Sequence, residues 1–279
     1  MTRPERTTDS TLRSTGAVPS QPSVAGIFSR DRTVIASCIL LISALAWAYL
    51  FHLDHQMASS TVSTTVITKM EMANDAPWGA RDFLFTFAMW SVMMVGMMTA
   101  SAAPVLLLYT DMQASRGGSG AAVNGMLFGL GYIVVWVGFS ALAAFTQWSL
   151  HQSTWLSPSM AVTSSRLAGV ILIAAGAYQL TPAKSACLAQ CQSPLGFLLS
   201  NWRDGAKGAL QMGIRHGAYC LGCCWALMLV LFVVGVMNLA WVAALTAFIL
   251  IEKFGRTGAR VARVGGAAMI LFGAIVAVR

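Results

Sequence analysis

The run MGIRHGAYCLGCCWALMLVLFVVGVMNLAWVAALTAFILI, from Met212 to Ile251, decides the fold class of this protein. It contains no proline, and its one formal charge is Arg215. As a single helix it would be about 60 Å long, roughly twice the hydrocarbon thickness of a bilayer. Gly235 to Asn238 offers a turn near its middle. The run therefore reads as a helical hairpin, spans five and six of a polytopic α-helical membrane bundle.

Outward from the hairpin the pattern repeats. The sequence predicts a first span over about 33–53, after Arg30 and Arg32, and a second over about 82–109 with Pro104 near its end. A third covers about 121–148, a fourth about 165–181 up to Thr181-Pro182, and a seventh about 262–278. Seven spans result, or six if the short last segment lies in the interface. Residues 1 to about 30 are rich in Ser, Thr, Pro and Arg without an apolar face and read as a disordered cytoplasmic tail. They contain no signal-peptide h-region, so the first span acts as an uncleaved anchor, and the transmembrane domain covers 31–279. The loop of about 54–80 lies partly on the membrane surface, and a polar segment of about 182–210 precedes span five.

Composition agrees. Of the 279 residues 57% are hydrophobic and only 10% charged, with a mean hydropathy of +0.68. Soluble domains carry about a quarter charged residues. The net charge of +8 sits in short loops, which argues for membrane orientation and against a nucleic-acid partner. With the N-terminus in the cytoplasm, only Lys69, Arg81, Arg166 and Arg279 of the 18 Lys and Arg residues fall on the outer side. The bias places the N-terminus inside.

The start of span five carries the sharpest chemistry. Residues four apart share a helix face, so Met212, His216, Cys220 and Cys224 form one stripe, with Cys223 on the same side. A thioether, an imidazole and three thiols then project in one direction. Soft ligands of this kind suit Cu(I) or Zn(II), and the thioether favours copper. Gly213, Gly217 and Gly222 allow a neighbouring helix to approach closely. Cys is also an ordinary buried apolar residue, and that reading suffices for Cys38, alone in span one.

Cys187 and Cys191 share a face if their segment is helical, on the inner side just before span five. In span two, Met89, Met93 and Met97 follow one another at steps of four, with Met94 and Met98 on the adjoining stripe. Such a stripe more often serves core packing than a soft metal, and depth raises the metal reading. Depth links it to span five: Met97 and Cys223 each lie 11 residues from the inner end of their spans, about 16 Å into the membrane. His52, Asp54 and His55, near the outer end of span one, form a second place for a cation. Glu252 ends span six beside Lys253 and reads as half of an interfacial pair with it.

Catalytic signatures are missing: there is no H-E-x-x-H, no Walker A and no dinucleotide fingerprint. The chain reads as a binder more than an enzyme. A thiol–disulfide oxidoreductase is the alternative, since Cys220-Leu-Gly-Cys223 is a C-x-x-C and Cys187/Cys191 a second pair. The inner placement of that second pair, where thiols stay reduced, weighs against it. An accessory subunit of a larger membrane complex is the third reading.

Four motifs carry a resemblance: Met93-Met-Val-Gly-Met-Met98; Tyr178-Gln-Leu-Thr-Pro-Ala-Lys184 with Cys187 and Cys191; the Met212–Met228 segment; and Gly235-Val-Met-Asn238. Over roughly 80–255 they resemble the DUF2182 family, described as predicted metal-binding integral membrane proteins of bacteria. The resemblance implies a multi-pass protein that binds metal and leaves its reaction open. The expectation from all these features is a Cu(I)-handling membrane protein that transports the ion or delivers it to a membrane cuproenzyme or metallochaperone, with zinc as the competing metal.

Overall fold

The computed structural model describes residues 24–60, 79–116, 120–152, 163–236, 238–255 and 257–278. All regular structure among them is helical: α1 (Val24–Ser60), α2 (Ala80–Ser115), α3 (Ala121–Gln152), α4 (Ser165–Gln179), α5 (Pro182–Gln192), α6 (Pro194–Asn201), α7 (Gly205–Leu229), α8 (Leu231–Val234), α9 (Leu239–Phe254) and α10 (Gly258–Val278). The all-α expectation holds, and the hairpin turn falls where the sequence puts it. Gly235 has φ +94°, a conformation natural to glycine, and the Asn238 side chain accepts from the Trp241 N–H to cap α9.

The expected seven spans are corrected. Five segments are long and apolar enough to cross a membrane: Asp31–Gln56, Ala80–Ser115, Ala121–Gln152, Gly205–Val234 and Gly258–Val278. A sixth results if α4 and α5, bent by 62° at Thr181-Pro182, count as one. The reason is length. The 15 residues of α4 and 16 of α9 reach about 24 Å, short of a bilayer core of roughly 30 Å. Other boundaries move too: α1 begins at Val24 and α2 continues through Pro104 to Ser115. The polar segment expected at 182–210 is helical as α5, α6 and the first turns of α7. Of the expected tail and the outer loop, residues 1–23 and 61–78 lie outside the described residues.

Close approaches fix the helix directions. Ala46 of α1 lies under Gly96 of α2, and Arg32 pairs with Asp111 at 3.1 Å, so these two run antiparallel. Trp90 donates to Gln147 at 2.6 Å while Thr110 touches Gly125, making α2 and α3 antiparallel. α3 and α7 run parallel and nearly touch: a Cβ on Gly213 would overlap the Phe128 carbonyl, and Gly217 lies against Val135 and Tyr132. Backbones this close need residues without side chains. α4 and α10 cross antiparallel on a second glycine seam, Gly169 with Gly273 and Gly176 with Gly266.

These directions gather Arg32, Arg116, Lys184, Arg203, Lys207, Lys253, Arg260 and Arg263 toward one end of the bundle and leave Arg81 and Arg166 toward the other. Two apolar clusters fill the interior. One, around Tyr109, Phe128, Phe197 and Met212, lies toward the basic end. The larger holds Met93, Met94, Met97, Met98, Cys220, Cys223, Cys224 and Met228. The outside is apolar as well: Leu40, Leu41, Val264, Leu271 and Phe272 are all at least 60% exposed. Lipid is the environment in which such a surface is stable.

Candidate metal centre

The four methionines at positions 93, 94, 97 and 98 are fully buried on α2, and Cys220, Cys223 and Cys224 are buried on α7 in the same cluster. Hydrogen bonds from Tyr132 of α3 and Ser101 of α2 meet at Met98. Its carbonyl accepts from the Tyr132 hydroxyl at 2.9 Å and from Ser101 Oγ at 2.8 Å. Both donors also face Cys220: Tyr132 Oη lies 3.0 Å from its Sγ and Ser101 Oγ 3.8 Å. The thiols of Cys223 and Cys224 turn back to the Cys220 carbonyl, at 3.0 and 2.9 Å.

Helix α5 brings further sulfur. The Cys191 side chain interacts with those of Cys220 and Cys223. Cys187 sits on Gly222, where a Cβ would meet its Sγ at 2.8 Å. Tyr178 at the end of α4 donates to the Gly222 carbonyl at 2.6 Å and holds α7 in this register. All three glycines expected to admit a neighbour do so: Gly213 and Gly217 admit α3, and Gly222 admits α5. Thiols from two helices thus converge. Among the described residues, no three His, Cys, Asp or Glu side chains are arranged to hold a metal ion as they stand.

The stripe on α7 divides between environments. Met212 belongs to the basic-end cluster, where its sulfur accepts the Arg203 N–H at 3.3 Å. His216 lies between the clusters, 2% exposed, in a cage of Phe197, Tyr132 and Phe128 with ring centroids at 5.0, 5.9 and 6.1 Å. Among the described residues its Nδ1 has no hydrogen-bond partner, which is uncommon for a buried polar atom. Met212 stands two turns from Cys220, about 12 Å along the axis, so they do not share one site. Cys38 on α1 is partly buried and outside both clusters.

Lys253 is the residue that the sequence reading missed. Its Nζ lies 2.8 Å from Cys220 Sγ and 3.0 Å from Ser101 Oγ, with the side chain buried. The expected interfacial pair of Glu252 with Lys253 is therefore wrong. Adjacent residues on a helix point about 100° apart. Glu252 turns instead to Lys184, which donates to both carboxylate oxygens at 2.9 and 2.7 Å, and the Gln179 amide donates to the same carboxylate at 3.2 Å. Both ends of the Lys184–Glu252 pair are almost completely buried. Tyr132 and Ser101 were missed as well. Ser101 has a signal in retrospect, since it follows Met94, Met97 and Met98 on the same face of α2.

Fold and site together define an α-helical protein with bilayer-length helices and an interior of thiols and thioethers beside a buried ammonium, that of Lys253. The family described as PpoB2, copper chaperone, matches residues 87–276, well over half of the chain. The chain belongs to that family. No curated protein and no solved structure matches it.

Proposed function

We propose that this chain is a multi-pass protein of the bacterial inner membrane, N-terminus in the cytoplasm, that holds Cu(I) on its cysteine cluster and passes it to a membrane cuproenzyme or a metallochaperone. The convergence of Cys191 from α5 with Cys220, Cys223 and Cys224 from α7 carries this reading. Soft thiolates from two elements, with thioethers of Met97 and Met98 in the same buried cluster, form a donor set suited to Cu(I). Two thiolates around one Cu(I) leave a net charge of −1, formed with release of two protons. Lys253 supplies the counter-charge that a buried anion needs. Met93 and Met94 extend the thioether row away from this centre, and His216 and Met212 extend the donor line toward the basic end. Membership of a copper chaperone family and the DUF2182-like motifs both support cargo binding over catalysis.

Metal analysis of the purified full-length protein loaded with Cu(I) tests the reading. Changing Cys220, Cys223 and Cys224 together to Ser removes most of the tightly held copper, while Cys38→Ser leaves it unchanged. Equal copper in the triple variant and the wild type would overturn the assignment to these cysteines. Zinc retained in preference to Cu(I) in a competition would overturn the choice of metal.

A thiol–disulfide oxidoreductase is the second reading, because Cys191 lies beside Cys220 and Cys223. A Cys191–Cys223 disulfide that forms and breaks with a substrate protein, in a chain that holds no copper, is the result that would favour it.

A further inference from the structure

A small cleft opens where α1, α2 and the start of α9 meet, lined by Leu50, Asp54, Met89, Met93, Leu239 and Val242 among others. It lies toward the end opposite the basic residues: Leu239 opens α9, and Lys253, which reaches Cys220, is near that helix's other end. Fourteen residues separate the two positions, about 21 Å along the axis. From this cleft we infer a second Cu(I) site, built of the Met89 and Met93 thioethers and the Asp54 carboxylate, that receives the ion and feeds the cysteine centre. The inference rests on the copper reading above and adds to it where the ion arrives.

Three observations support it. Met89 and Met93 are one turn apart on one face of α2, and both line the cleft. Thioethers bind soft ions and little else, so a pair of them open to a cleft selects for Cu(I). Asp54 sits in the same apolar wall, half-buried, with no hydrogen bond or ion pair to any described residue. A carboxylate without a partner attracts a cation and raises its local concentration. It also supplies the negative charge that two neutral thioethers lack. Inward from the cleft the thioethers do not stop. Met93 belongs to both the cleft and the buried cluster, and Met97 and Met98 follow within about 8 Å along the axis. Beyond them the Met98 carbonyl bonds the two hydroxyls that face Cys220. A soft ion can therefore move from sulfur to sulfur without passing a fully apolar gap.

Cu(I) titration and rapid-mixing loading of the full-length protein in lipid nanodiscs test the inference, with Asp54→Asn, Met89→Leu and the Cys220/Cys223/Cys224→Ser triple as variants. In the wild type, copper fills a tight and a weaker class of site. Asp54→Asn combined with Met89→Leu abolishes the weaker class and slows loading of the tight class by about tenfold, leaving the equilibrium affinity of the tight class as it was. Asp54→Glu restores the loading rate, which a merely misfolded variant would not show. The triple variant keeps the weaker class and loses the tight one. If the Asn/Leu variant loads as fast as the wild type with both classes intact, the second site does not exist. Loss of the tight class in the triple variant still upholds the cysteine centre in that event, so the two readings fail separately.

Discussion

Two buried lysines, Lys184 on α5 and Lys253 on α9, have opposite surroundings. Lys184 on α5 has a carboxylate of its own: Glu252 takes two hydrogen bonds from it, and Gln179 adds a third to the same group. Every charge there has its opposite. Lys253, the next residue after Glu252, finds a thiol and a hydroxyl instead. A buried charge is stable only when paired, so the Lys184 site is closed in itself, whereas the Lys253 site is complete only if Cys220 carries a negative charge. The first arrangement clamps α5 to α9, reinforced by Gln192, whose amide donates to the Glu252 carbonyl at 2.7 Å. The second has a charge to spare for an anionic centre. One ammonium holds the fold, and the other, on the copper reading proposed above, is available to the cargo.

The largest effect comes from breaking the closed pair. Glu252→Ala strands the Lys184 ammonium inside the bundle, and removing one partner of a buried pair costs about 3–5 kcal/mol. Thermal unfolding in detergent, followed by helicity, should show a large drop in midpoint. The double change Lys184→Met with Glu252→Met should recover most of it, since an apolar pair of similar volume is often neutral. If single and double variants unfold alike, the pair is not the clamp described above.

An intermediate effect follows from removing the other ammonium. Lys253→Met keeps every sulfur in place and deletes the counter-charge of the bis-thiolate complex. Copper stoichiometry should stay as in the wild type, while Cu(I) affinity, measured by competition with a chromophoric chelator, falls about 10–100-fold. Lys253→Arg should restore part of the loss. Unchanged affinity in Lys253→Met would remove the contrast between the two lysines.

What was legible in the sequence follows from what each signal encodes. The Met212–Ile251 run and its turn could be read because hydrophobic length and a Gly–Asn break are local properties. The stripe of Cys220, Cys223 and Cys224 could be read because helical spacing is local too. The span count failed at α4 and α9, where hydropathy runs on past a bend or stops a turn short of bilayer length. Lys253 could not be read. At the end of an apolar run a lysine normally reaches for the interface, and only the placement of α9 beside α7 turns this one inward. Cys191 illustrates the same limit. Its spacing from Cys187 shows a shared face, but its meeting with Cys220 depends on Tyr178 and Gly222 setting how α5 lies on α7.

The smallest effect separates the ammonium from its neighbours. Tyr132 reaches Cys220 Sγ, the Met98 carbonyl and Ser101 Oγ, so Tyr132→Phe removes three contacts at once. The carbonyl keeps Ser101 Oγ as a donor at 2.8 Å, and Cys220 keeps Lys253. No buried group is left without a partner, and the stability loss should be about 1 kcal/mol, the worth of an ordinary hydrogen bond. Copper affinity should fall less than in Lys253→Met, because a neutral donor leaves the charge balance of the centre intact while the ammonium does not. The same competition assay on both variants gives the order directly. A larger loss in Tyr132→Phe would make the phenol, and not Lys253, the principal partner of Cys220.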